Sequence, residues 1–261
     1  MPPRRGGTGA RRVEGLTAAV IARNEAANIE ACLATLAWAD ARLVLDGGST
    51  DGTSELARRA GAEVYHRPFD TFPKQRNAAL DLVRNGWVLF VDADERVPAV
   101  LAAEVRAVIA GPATAAGYWV PRRNYILGGW VRHGGWYPDY QLRLLRAGQA
   151  RYDEARPVHE LVQLDGAAGY LTEPLIHHNY THWSQLVRKQ LAYSRLEAVR
   201  LRHEGVRPLP HRFVLQPWRE FRRRYITLRG YRDGWRGLLL ATLLAAATAY
   251  TFVRLATSRE D

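Results

Sequence analysis

Residues 85–97 read NGWVLFVDADERV: five apolar positions, Trp87 to Val91, run straight into the carboxylates Asp92, Asp94 and Glu95. An apolar run of that length behind Gly86 predicts a strand buried on both faces, the kind found in a parallel sheet. Residues two apart on an extended segment point to the same side, so Asp92 and Asp94 face one object at the strand's carboxyl end. Two like charges that close repel each other unless a cation neutralises them, and hard oxygen donors suit Mg²⁺ or Mn²⁺. A divalent ion held by few carboxylates completes its shell with water and substrate phosphates, which points to a diphosphate-bearing substrate.

Outward from this stretch, short apolar runs alternate with amphipathic ones. LTAAVIA (16–22), ARLVLDGG (41–48) and AEVYHRP (62–68) read as further strands, and residues 25–38, 53–60, 74–84 and 98–110 as helices. Strands separated by helices imply a mainly parallel central sheet flanked by helices, an α/β fold. Ligands of such sheets bind at the carboxyl ends of the strands, where this chain carries ARNE (22–25), DGGSTDGT (46–53) and DADE (92–95). DGGSTDGT alone is equally a tight turn with a helix cap: Asp46 and the glycines make the turn, and Ser49, Thr50 or Asp51 caps the helix.

In this order and spacing, residues 20–36, 43–64, 74–80 and 86–97 resemble the nucleotide-sugar domain of the family-2 glycosyltransferases, inverting enzymes of the GT-A fold. Residues 133–160, HGGWYPDYQLRLLRAGQARYDEARPVHE, resemble the bacterial branch that includes lipopolysaccharide-core glucosyltransferases and other cell-envelope transferases. The resemblance implies that Asp46 and the backbone near Ala22 hold the base or ribose of a nucleoside-diphosphate sugar, with Glu25 supporting that loop. It sets Arg76, helped by Lys74, near the nucleotide or its phosphates. Asp92 and Asp94 become the Asp-X-Asp motif, Asp94 ligating Mg²⁺ or Mn²⁺ directly and Asp92 shared between ribose and metal.

Inversion in one displacement needs a base for the acceptor hydroxyl. The resemblance points to Asp139 in GGWYPDYQ, although relatives carry Glu-Asp where this chain has Pro138-Asp139; Glu160 is the alternative base. His159, His177, His178 and His182 match no standard zinc spacing, and adjacent His177 and His178 on a strand point to opposite faces.

The 261 residues, 47 % apolar, suffice for one large core plus an appendage, and the single Cys32 forms no disulfide within the chain, which favours a reducing compartment. Residues 181–261 hold 16 of the 37 lysines and arginines but 6 of the 26 acidic residues, so they carry nearly all of the +11 charge. The expected organisation is a flexible basic arm over 1–14, a glycosyltransferase domain over 15–180, and a basic, apolar helical region over 181–261. The run LTAAVIA is too short for a signal-peptide core. In the last region Trp218, Phe221, Tyr225, Leu228 and Trp235 recur at near-helical spacing among arginines, a pattern suited to an anionic membrane surface. Gly230 and Gly234 weaken a continuous helix there. Residues 237–253, GLLLATLLAAATAYTFV, are uncharged and at the lower limit for crossing a bilayer; the length and basic flank fit an in-plane or re-entrant membrane helix better than a span, and packing on the enzyme is the other reading. The expected site of action is the cytoplasmic face of the membrane, with a glycan or lipid-linked acceptor and no nucleic acid.

Three other readings remain. A haloacid-dehalogenase-type phosphatase also places Asp-X-Asp after a strand, but wants Thr or Val where Arg96 stands. A sugar nucleotidyltransferase shares sheet and metal, but would show a Gly-rich phosphate loop that ARNEAANIE lacks. A non-catalytic membrane or nucleic-acid binder would use the basic tail and leave the ordered acidic motifs without a purpose.

Overall fold

The computed structural model describes residues 15–83, 86–112, 114–155, 161–180 and 182–257. The expected arm over 1–14, His159 and the alternative base Glu160 lie outside them. The chain divides into two compact units, one of residues 1–120 and 142–173, the other of residues 121–141 and 174–261. The sequence boundary at 180/181 is a change of composition, whereas these units divide within two long strands.

The first unit is built on β1 (Leu16–Ala22), β2 (Ala41–Asp46), β3 (Glu63–His66) and β4 (Trp87–Asp92). They lie side by side in the order β3-β2-β1-β4, all parallel. The connecting helices are α1 (Ile29–Ala34), α2 (Thr53–Arg59) and α3 (Phe72–Leu82), and α4 (Ala99–Ala110) follows the two-residue β5 (Glu95–Arg96). Alternate residues feed opposite faces: Ala19, Ile21, Leu43, Leu45, Val88 and Phe90 pack with Ala79 and Leu80 of α3, while Ala18, Val20, Val44, Leu89 and Val91 are buried on the other side. Trp87 to Val91 are therefore all buried, and the burial stops at Asp92.

Helix α1 is much shorter than its apolar pattern. Its approach is a turn in which Asn28 and Ile29 N–H both donate to the Glu25 carbonyl, and it ends where the Thr35 hydroxyl donates back to Cys32 O at 2.7 Å. Helix α2 begins after Gly52, whose φ of 85° favours glycine; Asp51 Oδ1 accepts from Thr53 N–H at 3.1 Å and Thr53 Oγ1 at 2.5 Å.

The sheet is mixed beyond β4. β6 (Gly117–Ile126) and β8 (Asp139–Arg146) each contribute residues to both units, and β8 is antiparallel to β4 through Leu144 to Arg146. In the first unit β11 (Ala168–Tyr170) runs parallel to the start of β6, and β9 (Ala150–Tyr152) pairs antiparallel with β10 (Val162–Leu164). In the second unit β12 (Leu175–Tyr180) is parallel to the end of β6, and β7 (Gly129–Trp130) folds back on it. His177 is buried and His178 exposed, on opposite faces of β12.

The second unit continues with α5 (Trp183–His203) and α6 (Arg212–Arg222), then a π turn over Arg223–Thr227, a 3-10 turn over Gly230–Asp233, and α7 (Gly234–Thr257). The break falls at the expected glycines. Gly237 is needed there for space, because a Cβ on it would meet Gly230 O at 1.8 Å. One stripe of α7, including Leu240, Phe252 and Leu255, packs with Leu186 and Ala198 of α5 and Phe213 of α6. Leu238, Leu239 and Val253 of α7 remain exposed, so the apolar run is half packed and half open.

Candidate active site

The loops after β1 and β2 are one hydrogen-bonded structure. Asp46 ends β2, and its carboxylate accepts from Ser49 N–H (2.9 Å), Ser49 Oγ (2.6 Å) and Ser54 Oγ (2.5 Å), with His66 Nδ1 at 3.2 Å. Burial opposes its charge, but the Ser49 and Ser54 hydrogen bonds and His66 outweigh it and hold the pKa below the usual carboxylate value. The Ala22 carbonyl is taken by Gly47 N–H at 2.8 Å. Asn24 Oδ1 accepts from Thr50 N–H, and Asp51 Oδ2 from Ala26 N–H. ARNE and DGGSTDGT thus brace each other, which their separation in sequence hides.

Asp92 closes β4, and its counter-charge is built into the protein. Arg76 Nη2 donates to Oδ1 at 3.0 Å; Arg143 Nη1 reaches Oδ1 at 3.0 Å and Nη2 reaches Oδ2 at 2.5 Å. Glu95, fully buried, lies 3.6 Å from Arg143 and accepts from Asp92 N–H at 2.9 Å. Burial pulls the Arg143 pKa down, yet Asp92 and Glu95 outweigh it and hold it well above the ordinary value. The Arg76 guanidinium also stands 5.2 Å and 5.7 Å over the Phe90 and Tyr152 rings. Arg76, expected beside the nucleotide, is buried against Asp92. Lys74, expected to help it, is half-buried and pairs with Asp70 at 3.5 Å.

Asp94 is half-buried two residues further on. Its charge reaches Glu25, whose own side chain accepts from Asn28 Nδ2 at 2.9 Å. Burial is the largest influence raising the Glu25 pKa, the Asn28 bond opposes it, and the charges of Asp94, Asp51 and Asp92 add to the rise. Negative charge has thus accumulated where β1 and β4 end, in hard oxygen donors that fit Mg²⁺ or Mn²⁺. Both Asp92 oxygens are held by guanidiniums. Among the described residues no three His, Cys, Asp or Glu side chains assemble a ligand set. Cys32 is buried with its Sγ 3.5 Å from Asp92 O, and burial pushes its thiol pKa to about 12, far from thiolate chemistry.

Asp139 begins β8 in the second unit. Its Oδ2 accepts from Arg122 Nε (3.0 Å) and Nη2 (2.6 Å) and from Asn124 Nδ2 (3.2 Å), and its Oδ1 from Gln141 Nε2 (3.0 Å). Burial favours the neutral acid, but Arg122 and the hydrogen bonds of Asn124 and Gln141 outweigh it and keep the pKa below the usual range. Asp139 is ionised at neutral pH, with Oδ1 carrying fewer donors than Oδ2. A carboxylate held in that way can accept a hydroxyl proton.

Sequence reading passed over Arg143, Glu95, Arg122 and Asn124. Arg122 and Asn124 lie within β6, Arg143 within β8 and Glu95 just past the end of β4, and a charged or amide residue taken out of water there needs a partner. Three tail arginines also proved structural. Arg224 donates to Gly134 O at 2.9 Å, Arg236 to Leu127 O at 3.0 Å, and Arg223 to Glu220 at 3.0 Å. Asp233 accepts from His133 N–H at 2.7 Å. The tail thus secures the HGGW loop as well as exposing charge.

Several known proteins resemble this chain. The "Lipopolysaccharide core biosynthesis glycosyltransferase LpsC" of Rhizobium meliloti is 29 % identical over 249 residues, spanning 88 % of this chain and 90 % of LpsC. An uncharacterised glycosyltransferase of Rickettsia bellii is 34 % identical over 96 residues, 36 % of this chain and 33 % of its own length. Among solved structures, the mannosyltransferase PcManGT of Pyrobaculum calidifontis shares the fold at a TM-score of 0.57 with 16 % identity, covering 95 % of this chain and 88 % of PcManGT. The model of Glycosyl transferase family 2 matches residues 17–178, and the chain belongs to that family.

Proposed function

We propose that this glycosyltransferase inverts the anomeric centre as it moves a sugar from a nucleoside-diphosphate sugar to a hydroxyl of a cell-envelope glycan or lipid-linked acceptor. The observation that carries the reading is the carboxyl end of β4. There, Asp92 is neutralised internally by Arg76 and Arg143 while Asp94 stands among further carboxylates. Asp94 holds Mg²⁺ or Mn²⁺, which when bound offsets the charge growing on the departing diphosphate. Asp46 and the Ala22 to Glu25 loop receive the nucleoside. Asp139 takes the acceptor proton, and Arg122 keeps it ionised for that step. PcManGT in complex with GDP-Man and Mn²⁺ supports the choice of donor class and metal, and the name of LpsC supports the acceptor class.

The reading is tested by offering the purified protein UDP-, GDP-, ADP- and CDP-sugars with Mn²⁺, Mg²⁺ or EDTA. We expect one donor to bind and slowly release its nucleotide in the presence of metal, with EDTA abolishing release. Metal-dependent release of inorganic phosphate from a sugar phosphate, with no nucleotide released from any donor, would favour the phosphatase alternative.

Residues 15–180 on this reading carry the chemistry, and 181–261 bring it to the cytoplasmic face of the membrane. One 18-residue window within 230–257 has a mean hydropathy of 1.7 and is 28 % buried. Val214, Leu215, Trp218 and Trp235 are exposed near the exposed arginines Arg219, Arg222 and Arg232. Basic side chains near an anionic surface contribute about 1 kcal/mol each, and exposed apolar side chains add a term that salt does not screen. The protein is expected to co-sediment with anionic liposomes better than with neutral ones. Replacing Arg219, Arg222 and Arg232 by Gln removes that preference, whereas Val214→Asp with Trp218→Asp removes the part that survives high salt. Equal recovery of all variants in the supernatant would refute membrane docking.

A further inference from the structure

β12 supplies a support for Asp139 that no motif marks. Asn124 is buried on β6, two residues after Arg122 and on the same side of the strand. Its Nδ2 lies 3.0 Å from Trp136 O and 3.2 Å from Asp139 Oδ2, two acceptors, so that atom is the amide nitrogen and Oδ1 faces the other way. Oδ1 meets Nδ1 of buried His177 at 2.7 Å, across the paired positions of β6 and β12. His177 Nδ1 therefore carries the hydrogen, in both the neutral and the charged ring. Flipping the amide would set its NH₂ against the His177 N–H and its oxygen against the Asp139 carboxylate, so His177 locks the orientation in which Asn124 donates.

We propose that His177 is a positioning residue: through Asn124 it holds a third donor on Asp139 Oδ2, beside the two from Arg122, and so steadies the carboxylate whose less heavily bonded Oδ1 serves the acceptor hydroxyl. This rests on the proposed role of Asp139 as base. The Asn124 bond is one of the interactions favouring the ionised Asp139, along with Arg122 and Gln141. Freeing the Asn124 amide therefore makes Asp139 easier to protonate. His177→Asn restores a donor at the Nδ1 position and His177→Leu does not, which separates the hydrogen bond from mere filling of space.

The test is a ¹³C NMR titration of the Asp139 carboxyl, identified by the signal lost in Asp139→Asn, in the full-length protein and in His177→Leu, His177→Asn and Asn124→Leu. The titration midpoint is expected to rise by about 0.5 to 1 pH unit in His177→Leu and Asn124→Leu and to stay within error in His177→Asn. Metal-dependent hydrolysis of the nucleotide sugar selected by the donor screen is expected to lose at least ~10-fold in kcat in His177→Leu with KM unchanged, and to recover in His177→Asn. An unchanged midpoint and kcat in His177→Leu, with Asp139→Asn inactive, would overturn the positioning role and leave the base in place. Full activity in Asp139→Asn would overturn both. The midpoint reports only folded molecules, so partial unfolding of a variant does not imitate the shift.

Discussion

Asp94→Asn is expected to lower transfer by about 10² to 10³-fold and to remove the dependence of donor binding on Mg²⁺ or Mn²⁺, with the fold intact. The substitution keeps the volume and one oxygen of the side chain but removes its charge. It also relieves Glu25, whose carboxyl is pushed up by burial and further by Asp94. An acid whose folded pKa lies above its unfolded one stabilises the protein fully only below the unfolded value. That contribution is lost as pH rises through the folded pKa. Taking away the Asp94 charge narrows that window, so the variant should melt at neutral pH no lower than the parent. Asp92→Asn is the contrasting control, because it strips the carboxylate shared by Arg76 and Arg143 and leaves Glu95 alone beside the buried Arg143 guanidinium, a loss of up to about 3 to 5 kcal/mol. Calorimetry with Mn²⁺ and thermal melts separate the two. An Asp94→Asn protein with parental, metal-dependent turnover would take the ion away from Asp94.

How far the site can be read in the sequence depends on distance along the chain. The parallel arrangement of β1, β2 and β4 follows from strands that are apolar on both faces and separated by helical periods. The clustering of ARNE, DGGSTDGT and DADE follows from their places at strand ends. What the opening stretch does not disclose is the identity of the positive object before Asp92. Sequence spacing calls for a cation, and a metal satisfies that requirement as well as a guanidinium does. The guanidiniums come from Arg76, 16 residues upstream, and Arg143, 51 residues downstream. Only the antiparallel pairing of β8 with β4 brings Arg143 to that position. Asp139, Arg122, Asn124 and His177 are likewise brought together by β6, β8 and β12, none of which has a strongly apolar run. The tail was legible as basic and aromatic, but composition alone did not distinguish Arg224 and Arg236, spent on backbone carbonyls, from Arg219, Arg222 and Arg232, which are exposed.

Asp139→Asn is expected to lose transfer by at least ~10²-fold while binding donor and metal as the parent does. Its lowered pKa makes Asp139 a weak base in the resting enzyme. As the acceptor oxygen bonds to the anomeric carbon, however, its hydrogen becomes strongly acidic, and a fixed carboxylate suffices to receive it. Arg122 thus trades proton affinity for geometry. Because the folded pKa is depressed, Asp139 stays ionised through neutral and mildly acidic pH, and activity that depends on it falls only as pH drops through that lowered value. The same sign governs stability: the Arg122–Asp139 pair contributes fully above the unfolded carboxylate pKa, and its contribution is lost as pH falls through the folded one. Arg122→Gln should therefore move the acid limb of kcat/KM upward, toward the value of an ordinary aspartate. Asp139→Asn removes that limb along with the activity. Both profiles are measured well below each variant's melting temperature, since parting a half-buried ion pair also lowers stability. Transfer that survives in Asp139→Asn but is lost in Glu160→Gln would move the base to Glu160, whereas loss in Asp139→Asn with donor and metal still bound assigns the proton to Asp139.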